Sequence, residues 1–295
     1  MRLALGDRSL DLPAGAPALM GIVNATPDSF SDEQAPKSLA ALVEHGRALA
    51  AAGAAIVDVG GESGRSDRPP VSVDEEASRV VPLVERLSAD GIAVSVDTWR
   101  AEVARAALDA GAILINDVSG LSDPAVAAAC AVSGAGLVVT HTRVAPKAKG
   151  FPEYSNVVAD TIELLAARAA AANEQGVAQE QLLLDPGLDL AKTPAESVEL
   201  LRRLPELEHL GRPLLLAISR KDFVGALTGR RPRERDAGTL GAIEPALDCA
   251  AGTVLRVHDV AAAADFIAVR AALRGTAAAP TSPLEDSLRR ESAPA

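Results

Sequence analysis

Aromatic side chains are nearly absent from this chain: one Trp, one Tyr and four Phe make up 2% of 295 residues. Ala, Val, Leu and Ile must therefore build the interior, and a hydrophobic share of 48% is ample for a sizeable core. Positive charge is also short, with 29 Lys and Arg against 40 Asp and Glu and a net charge of −11. That balance argues against a general nucleic-acid surface, which needs clustered cations, but allows a local cationic pocket for one anionic ligand. The only cysteines, Cys130 and Cys249, are far apart in Ala-rich helical contexts. They read as buried free thiols rather than a disulfide framework. The four histidines form no His-x-His pair and no His/Cys pair with ligand spacing, which disfavours a mononuclear-zinc barrel hydrolase. His45 and His209 read as exposed. No apolar run approaches the ~18 residues of a membrane span, and Met1–Leu5 has no signal-peptide core. The expectation is a cytoplasmic enzyme with neither membrane nor nucleic acid as partner.

What is present is a repeat of short apolar runs that each end in polar residues. The runs are Leu19–Val23, Ile56–Val59, Ile92–Val96, Ile113–Ile115, Leu137–Val139, Leu182–Leu184, Leu214–Ile218 and Val254–Val257. Apolar residues dominate each run, which fits parallel strands covered on both faces, with Arg256 the exception inside the last run. Helical segments are expected between them over Ser38–Ala52, Val73–Leu87, Ala101–Ala110, Pro124–Ala131, Val157–Gln175, Ala195–Leu204, 237–250 and 261–274. Eight strand–helix units predict an α/β fold, a (β/α)8 TIM barrel, with residues 1–13 as a short N-terminal hairpin or cap. A doubly wound open sheet is the alternative, but it concentrates its site at one switch point, whereas here every strand end is polar. Residues 1–275 are expected to form one domain, and 276–295 a disordered tail.

A barrel gathers the C-terminal strand ends on one face. That face collects Asn24, Asp97, Asn116, Asp185, Ser219, Lys221, Arg256 and His258. Singly, each could be a solvated loop residue or a cap; Asp97-Thr98 could cap the helix starting near Ala101. Jointly they favour a site. Asp97, Asn116 and Asp185 suit a planar amino-heterocycle with several N–H donors. Arg220, Lys221, Arg256 and His258 lie on strands seven and eight, where barrels often bind phosphate. An Arg flanked by apolar residues inside a strand needs an anionic partner or the barrel mouth. His141, beside Thr140 and Thr142, makes no metal site alone.

Several segments resemble the dihydropteroate synthases of the pterin-binding family. They are Gly21–Asp32, Val57–Ser63, Ser95–Thr98, Ile115–Asp117, Leu184–Gly187, Ser219–Lys221 and Arg256–Asp259, in the family's order across residues 18–274. The resemblance implies condensation of 6-hydroxymethyl-7,8-dihydropterin pyrophosphate with p-aminobenzoate to give 7,8-dihydropteroate and pyrophosphate. It implies that Asp97, Asn116, Asp185 and Lys221 hold the pterin. Arg256 and His258 would bind pyrophosphate, Ser219 would bind substrate, and Asn24 would help place Mg2+. Lys221, Asp185, Asp32 and Arg65 are implied as catalytic, with Asp28 and Asp32 on a first mobile loop and Arg65 on a second. A homodimer is also implied.

Departures from the pattern cluster around the second substrate. Gly64 stands where a threonine lines the pocket, and Ser66 where a proline sits. The segment Asp185-Pro186-Gly187-Leu188-Asp189-Leu190-Ala191-Lys192 replaces Asp-Pro-Gly-Ile-Gly-Phe-Gly-Lys, placing Leu190 where an aromatic ring packs on p-aminobenzoate. Glu33-Gln34 replaces a glycine pair, and Asp222 follows Lys221. The pterin and pyrophosphate residues are kept, so the alternative is a divergent, inactive or repurposed pterin-pyrophosphate-binding paralogue. A corrinoid-dependent methyltransferase is a further reading; Lys221, Arg256 and His258 argue against it.

Overall fold

The computed structural model describes residues 1–26, 38–64, 67–285 and 288–289. Its centre is a closed barrel of eight parallel strands: β3 (Ala18–Asn24), β4 (Ile56–Gly60), β5 (Val94–Asp97), β6 (Leu114–Asp117), β7 (Gly136–Thr140), β8 (Leu182–Asp185), β9 (Leu214–Ala217) and β10 (Thr253–Val257). Each expected apolar run is a strand, and β10 pairs with β3 to close the ring. Helices α1 (Leu39–Ala51), α2 (Val73–Ala89), α3 (Ala101–Asp109), α4 (Pro124–Ser133), α5 (Val157–Glu174), α6 (Pro194–Arg202), α7 (Asp222–Thr228), α8 (Asp236–Leu247) and α9 (Val260–Leu273) surround it. Side chains start several of them: Asn156 accepts from two amides of α5, Thr193 and Glu196 form a reciprocal box on α6, and Asp259 caps α9. The sequence reading had no α7, whose seven residues are too few to show a helical period, and it began α8 one residue late.

The expected N-terminal hairpin is present as β1 (Arg2–Leu5) and β2 (Arg8–Asp11). It seals the N-terminal end of the barrel. Leu3, Leu5 and Leu12 pack with Met20, Ile56, Leu114, Val138, Leu183, Leu215 and Val254, which form the bottom layer of the interior. A larger apolar layer between strands and helices surrounds the barrel and contains the buried thiols Cys130 and Cys249.

The hairpin and bottom layer fix which side chains face inward higher up, because alternate residues of a strand share a face. Two residues above Ile56 comes Asp58, above Leu114 comes Asn116, above Leu183 comes Asp185 and above Val254 comes Arg256. Asp58 is in register with Ser95, Gly60 with both Asn24 and Asp97, and Asp97 with Asn116. The barrel is thus apolar below and polar above, and these polar residues belong to the strands rather than to the loops after them. Residues 276–285 contain no helix or strand and are exposed. No described helix is long and apolar enough to cross a membrane.

Candidate active site

Arg256 organises the upper layer. Its Nε donates to Asp58 Oδ2 at 2.6 Å and its Nη2 to Asp97 Oδ2 at 2.9 Å, so one guanidinium bridges two carboxylates. Asn116 Nδ2 donates to the same Asp58 oxygen at 3.2 Å. The expected anionic partner of Arg256 is therefore two aspartates, one of which, Asp58, the sequence reading left out. Burial works against the guanidinium, but Asp58 and Asp97 hold its pKa above the ordinary value. Asp97, whose side chain is 21% exposed, is pushed up to about 7. Burial is the main cause; Arg256 opposes it, and Asp58, Glu76 and Asp117 add to it. Asp58 Oδ1 and Asn116 Oδ1 are buried and have no hydrogen-bond partner among the described residues.

Asp185 enters from the other side of the ring. Its Oδ1 accepts from Gly187 N at 2.7 Å. Burial raises its pKa, against the pull of the Gly187 amide, Lys221, Lys192 and Arg256. Gly187 is required here: its φ is +67°, and a Cβ would collide with His141 O. Lys221 Nζ donates to Leu188 O at 3.0 Å; burial lowers its pKa, and Asp189 and Asp185 draw it back up. Ser219 and His258 form a pair, with His258 Nδ1 and Ser219 Oγ 2.9 Å apart. Burial and the nearby Arg220 and Arg256 lower the His258 pKa to about 3, so the ring is neutral near pH 7. Of the expected cations, Arg220 does not join the group. It pairs with Asp236 at 2.8 Å and lies against the start of α8. Arg220 has a φ of +58°.

Sequence reasoning missed a supporting shell. Lys192 is almost fully buried and donates to the carbonyls of Gly187 (2.9 Å), Leu190 (3.1 Å) and His141 (3.3 Å). Burial lowers its pKa to about 7. His141 is fully buried, and its Nε2 lies 2.8 Å from Asp160, which Arg143 also grips. Arg100 bonds Glu62 at 2.5 Å and also Glu76. The cap expected from Asp97-Thr98 is not formed as such: the N-cap of α3 is Arg100, whose side chain makes no capping bond, and Thr98 Oγ1 accepts from the Arg100 amide at 3.3 Å. Lys147 Nζ reaches Ser63 O at 2.6 Å, tying the loop after β4 to the loop after β7. An Asp between two valines (Asp58) was the one available signal for the missing member of the layer.

Asn24 ends β3 at the exposed rim, and Gly64 is exposed with nothing near the place of a Cβ. His45 and His209 are exposed, as expected. Asp28, Asp32, Arg65, Ser66 and the Glu33-Gln34 pair lie outside the described residues. Among the described residues no three His, Cys, Asp or Glu side chains gather as metal ligands.

The chain is similar in sequence and fold to known proteins. The pterin binding enzyme family matches residues 20–258. The dihydropteroate synthase of Mycobacterium leprae is 43% identical over 261 residues, 85% of this chain and 91% of its own. The solved dihydropteroate synthase of Xanthomonas albilineans with 4-aminobenzoic acid superimposes with a TM-score of 0.85 at 42% identity, covering 95% of this chain and 100% of that one. The structure from the same organism in complex with 7,8-dihydropteroate gives a TM-score of 0.82 at 41% identity, with 95% and 100% covered. The chain belongs to the pterin-binding enzymes and, within them, to the dihydropteroate synthases.

Proposed function

We propose that this barrel mouth joins 6-hydroxymethyl-7,8-dihydropterin diphosphate to p-aminobenzoate, with the ring against Asp97, Asn116, Asp185 and Lys221 and the diphosphate toward Ser219, His258 and Arg256. The observation that carries the ring assignment is the pair of buried, unpartnered acceptors, Asp58 Oδ1 and Asn116 Oδ1, beside a crowded set of carboxylates. Acceptors in that state are costly unless a ligand brings N–H donors, and an aminopterin edge carries several. Arg256 spends Nε and Nη2 on the aspartates, leaving Nη1 as the edge offered to the diphosphate.

In the reaction a C–N bond forms at the exocyclic methylene as its C–O bond breaks. The diphosphate leaves with the electron pair, and the amine loses one proton to solvent. The arylamine lone pair is available at neutral pH, so the chain needs no strong base. Its work is to hold the two reactants in line and to favour positive charge on the pterin through the nearby carboxylates. Mg2+ fits the rim. Asn24, at the exposed rim in register with Gly60 and near Asp97, would be the residue to hold it through its amide oxygen, a hard donor. When bound with water and diphosphate oxygens, it would disperse the charge of the leaving group.

The second-substrate wall differs from the family pattern at Gly64 and Leu190, so p-aminobenzoate should bind less tightly than the pterin side suggests. Steady-state turnover with both substrates and Mg2+ tests the reading. Equal yields of 7,8-dihydropteroate and diphosphate support it. Tight binding of the pterin diphosphate without any product would favour the paralogue instead.

A further inference from the structure

The loop after β8 places alternate residues in the left-handed region: Gly187 at φ 67°, Asp189 at 61° and Ala191 at 53°. Two of these carry a Cβ, and such backbone persists only where its surroundings hold it. From inside, Lys192 gathers three carbonyls, as described above. From outside, the holder is Asp189. Its Oδ1 accepts from Ser197 Oγ at 3.0 Å, and its own amide donates to that hydroxyl at 3.0 Å. Its Oδ2 accepts from the amides of Asp222 and of Phe223, the latter at 3.3 Å.

Those two amides open α7. The residue at the N-cap of α7 is Lys221, whose side chain makes no capping bond. The first turn behind Lys221 is therefore capped from another loop, by Asp189. Lys221 in turn sends its ammonium back to Leu188 O, one residue before Asp189. The loops after β8 and β9 grip each other reciprocally, and the lysine assigned to the pterin is part of the grip.

We propose that Asp189 is a positioning residue for the transfer reaction, fixing through the first turn of α7 where the Lys221 ammonium stands. The proposal deepens the pterin-site reading and rests on it. The groups facing Lys221 are Asp185 on β8, Asp189 and Lys192 on the loop after it, Asp222 on α7 and Arg256 on β10. Burial lowers the pKa of Lys221, and Asp189 leads the groups that oppose that fall.

Asp189→Asn tolerates the left-handed backbone but removes the charge; Asp189→Gly relieves the backbone and removes the cap. Three quantities are read in each: the titration of Lys221 by NMR of ε-13C-lysine, assigned with Lys221→Arg; kcat/KM for the pterin diphosphate; and the thermal midpoint. In both variants Lys221 should titrate at lower pH than in the parent, the alkaline limb of kcat/KM should move with it, and kcat/KM should fall by roughly ten- to a hundredfold. Lower thermal stability with the Lys221 titration unchanged would overturn the proposal, since that is a purely structural role. Should the parent protein fail to bind the pterin diphosphate, the site reading falls, while the Lys221 titration still decides the coupling to Asp189.

Discussion

Binding of the pterin should tighten as pH rises and should expel a proton. In the ligand-free site Asp97 sits at about 7, because burial and the neighbouring carboxylates disfavour its charge more than Arg256 favours it. Ring N–H donors aimed at that carboxylate favour the charged form and draw its pKa down, by about two to three pH units for a close, well-directed set. Linkage then gives an affinity gain of roughly 25- to 50-fold between pH 5 and pH 7, and release of close to one proton near pH 6. The stability of the free protein responds in the opposite direction. With a folded pKa above the unfolded one, Asp97 subtracts stability as pH rises from about 4 to about 7, and ligand donors offset that loss. The assay is isothermal calorimetry of the pterin diphosphate at several pH values, each in two buffers of different ionisation enthalpy. Asp97→Asn should weaken binding and flatten the pH dependence. Affinity independent of pH with no proton exchange, or uptake of a proton on binding, would refute the reasoning.

Other outcomes follow from the same geometry. Asp185→Asn should lower pterin affinity by about tenfold or more, since a carboxylate accepting ring N–H bonds becomes a mixed amide, while circular dichroism and the urea midpoint stay close to those of the parent. Gly187→Ala should destabilise by about 3 kcal/mol or more, measured by urea unfolding, because its Cβ would meet His141 O in a left-handed backbone. Arg100→Met should cost about 3–5 kcal/mol in the same assay, leaving the buried Glu76 without a cation and Glu62 with only Lys147; Arg100→Lys should recover only part of it, lacking the planar fork.

The barrel was legible because parallel strands covered on both faces are written as apolar runs, and the eight runs ending in polar residues are the eight strands. The same rule blurred their ends. Asp97, Asn116, Asp117 and Asp185 close strands rather than open loops, and an apolar count stops before them. Asp58 was passed over for that reason: between Val57 and Val59 it lies inside a run, and only the inward alternation shared with Ile56 puts it beside Arg256. Asp97, Asn116, Asp185, Ser219, Lys221, Arg256 and His258 could be grouped from the sequence because a barrel brings distant strand ends to one face. The contacts of Lys192 and Asp189 could not be read, because they depend on a loop folding back on itself in left-handed backbone, and a linear pattern carries no trace of that. Helix α7 escaped through its brevity, and sequence adjacency to Lys221 says nothing of the pairing of Arg220 with Asp236.

The most direct test is a crystal structure with the dihydropterin diphosphate, or a non-hydrolysable analogue, bound. Ring nitrogens within hydrogen-bond distance of Asp97, Asn116 and Asp185, Lys221 beside the ring, and phosphate oxygens toward Ser219, His258 and Arg256 are the predicted result. A ligand seated outside the barrel mouth, or one whose phosphates face the aspartates, would contradict the account.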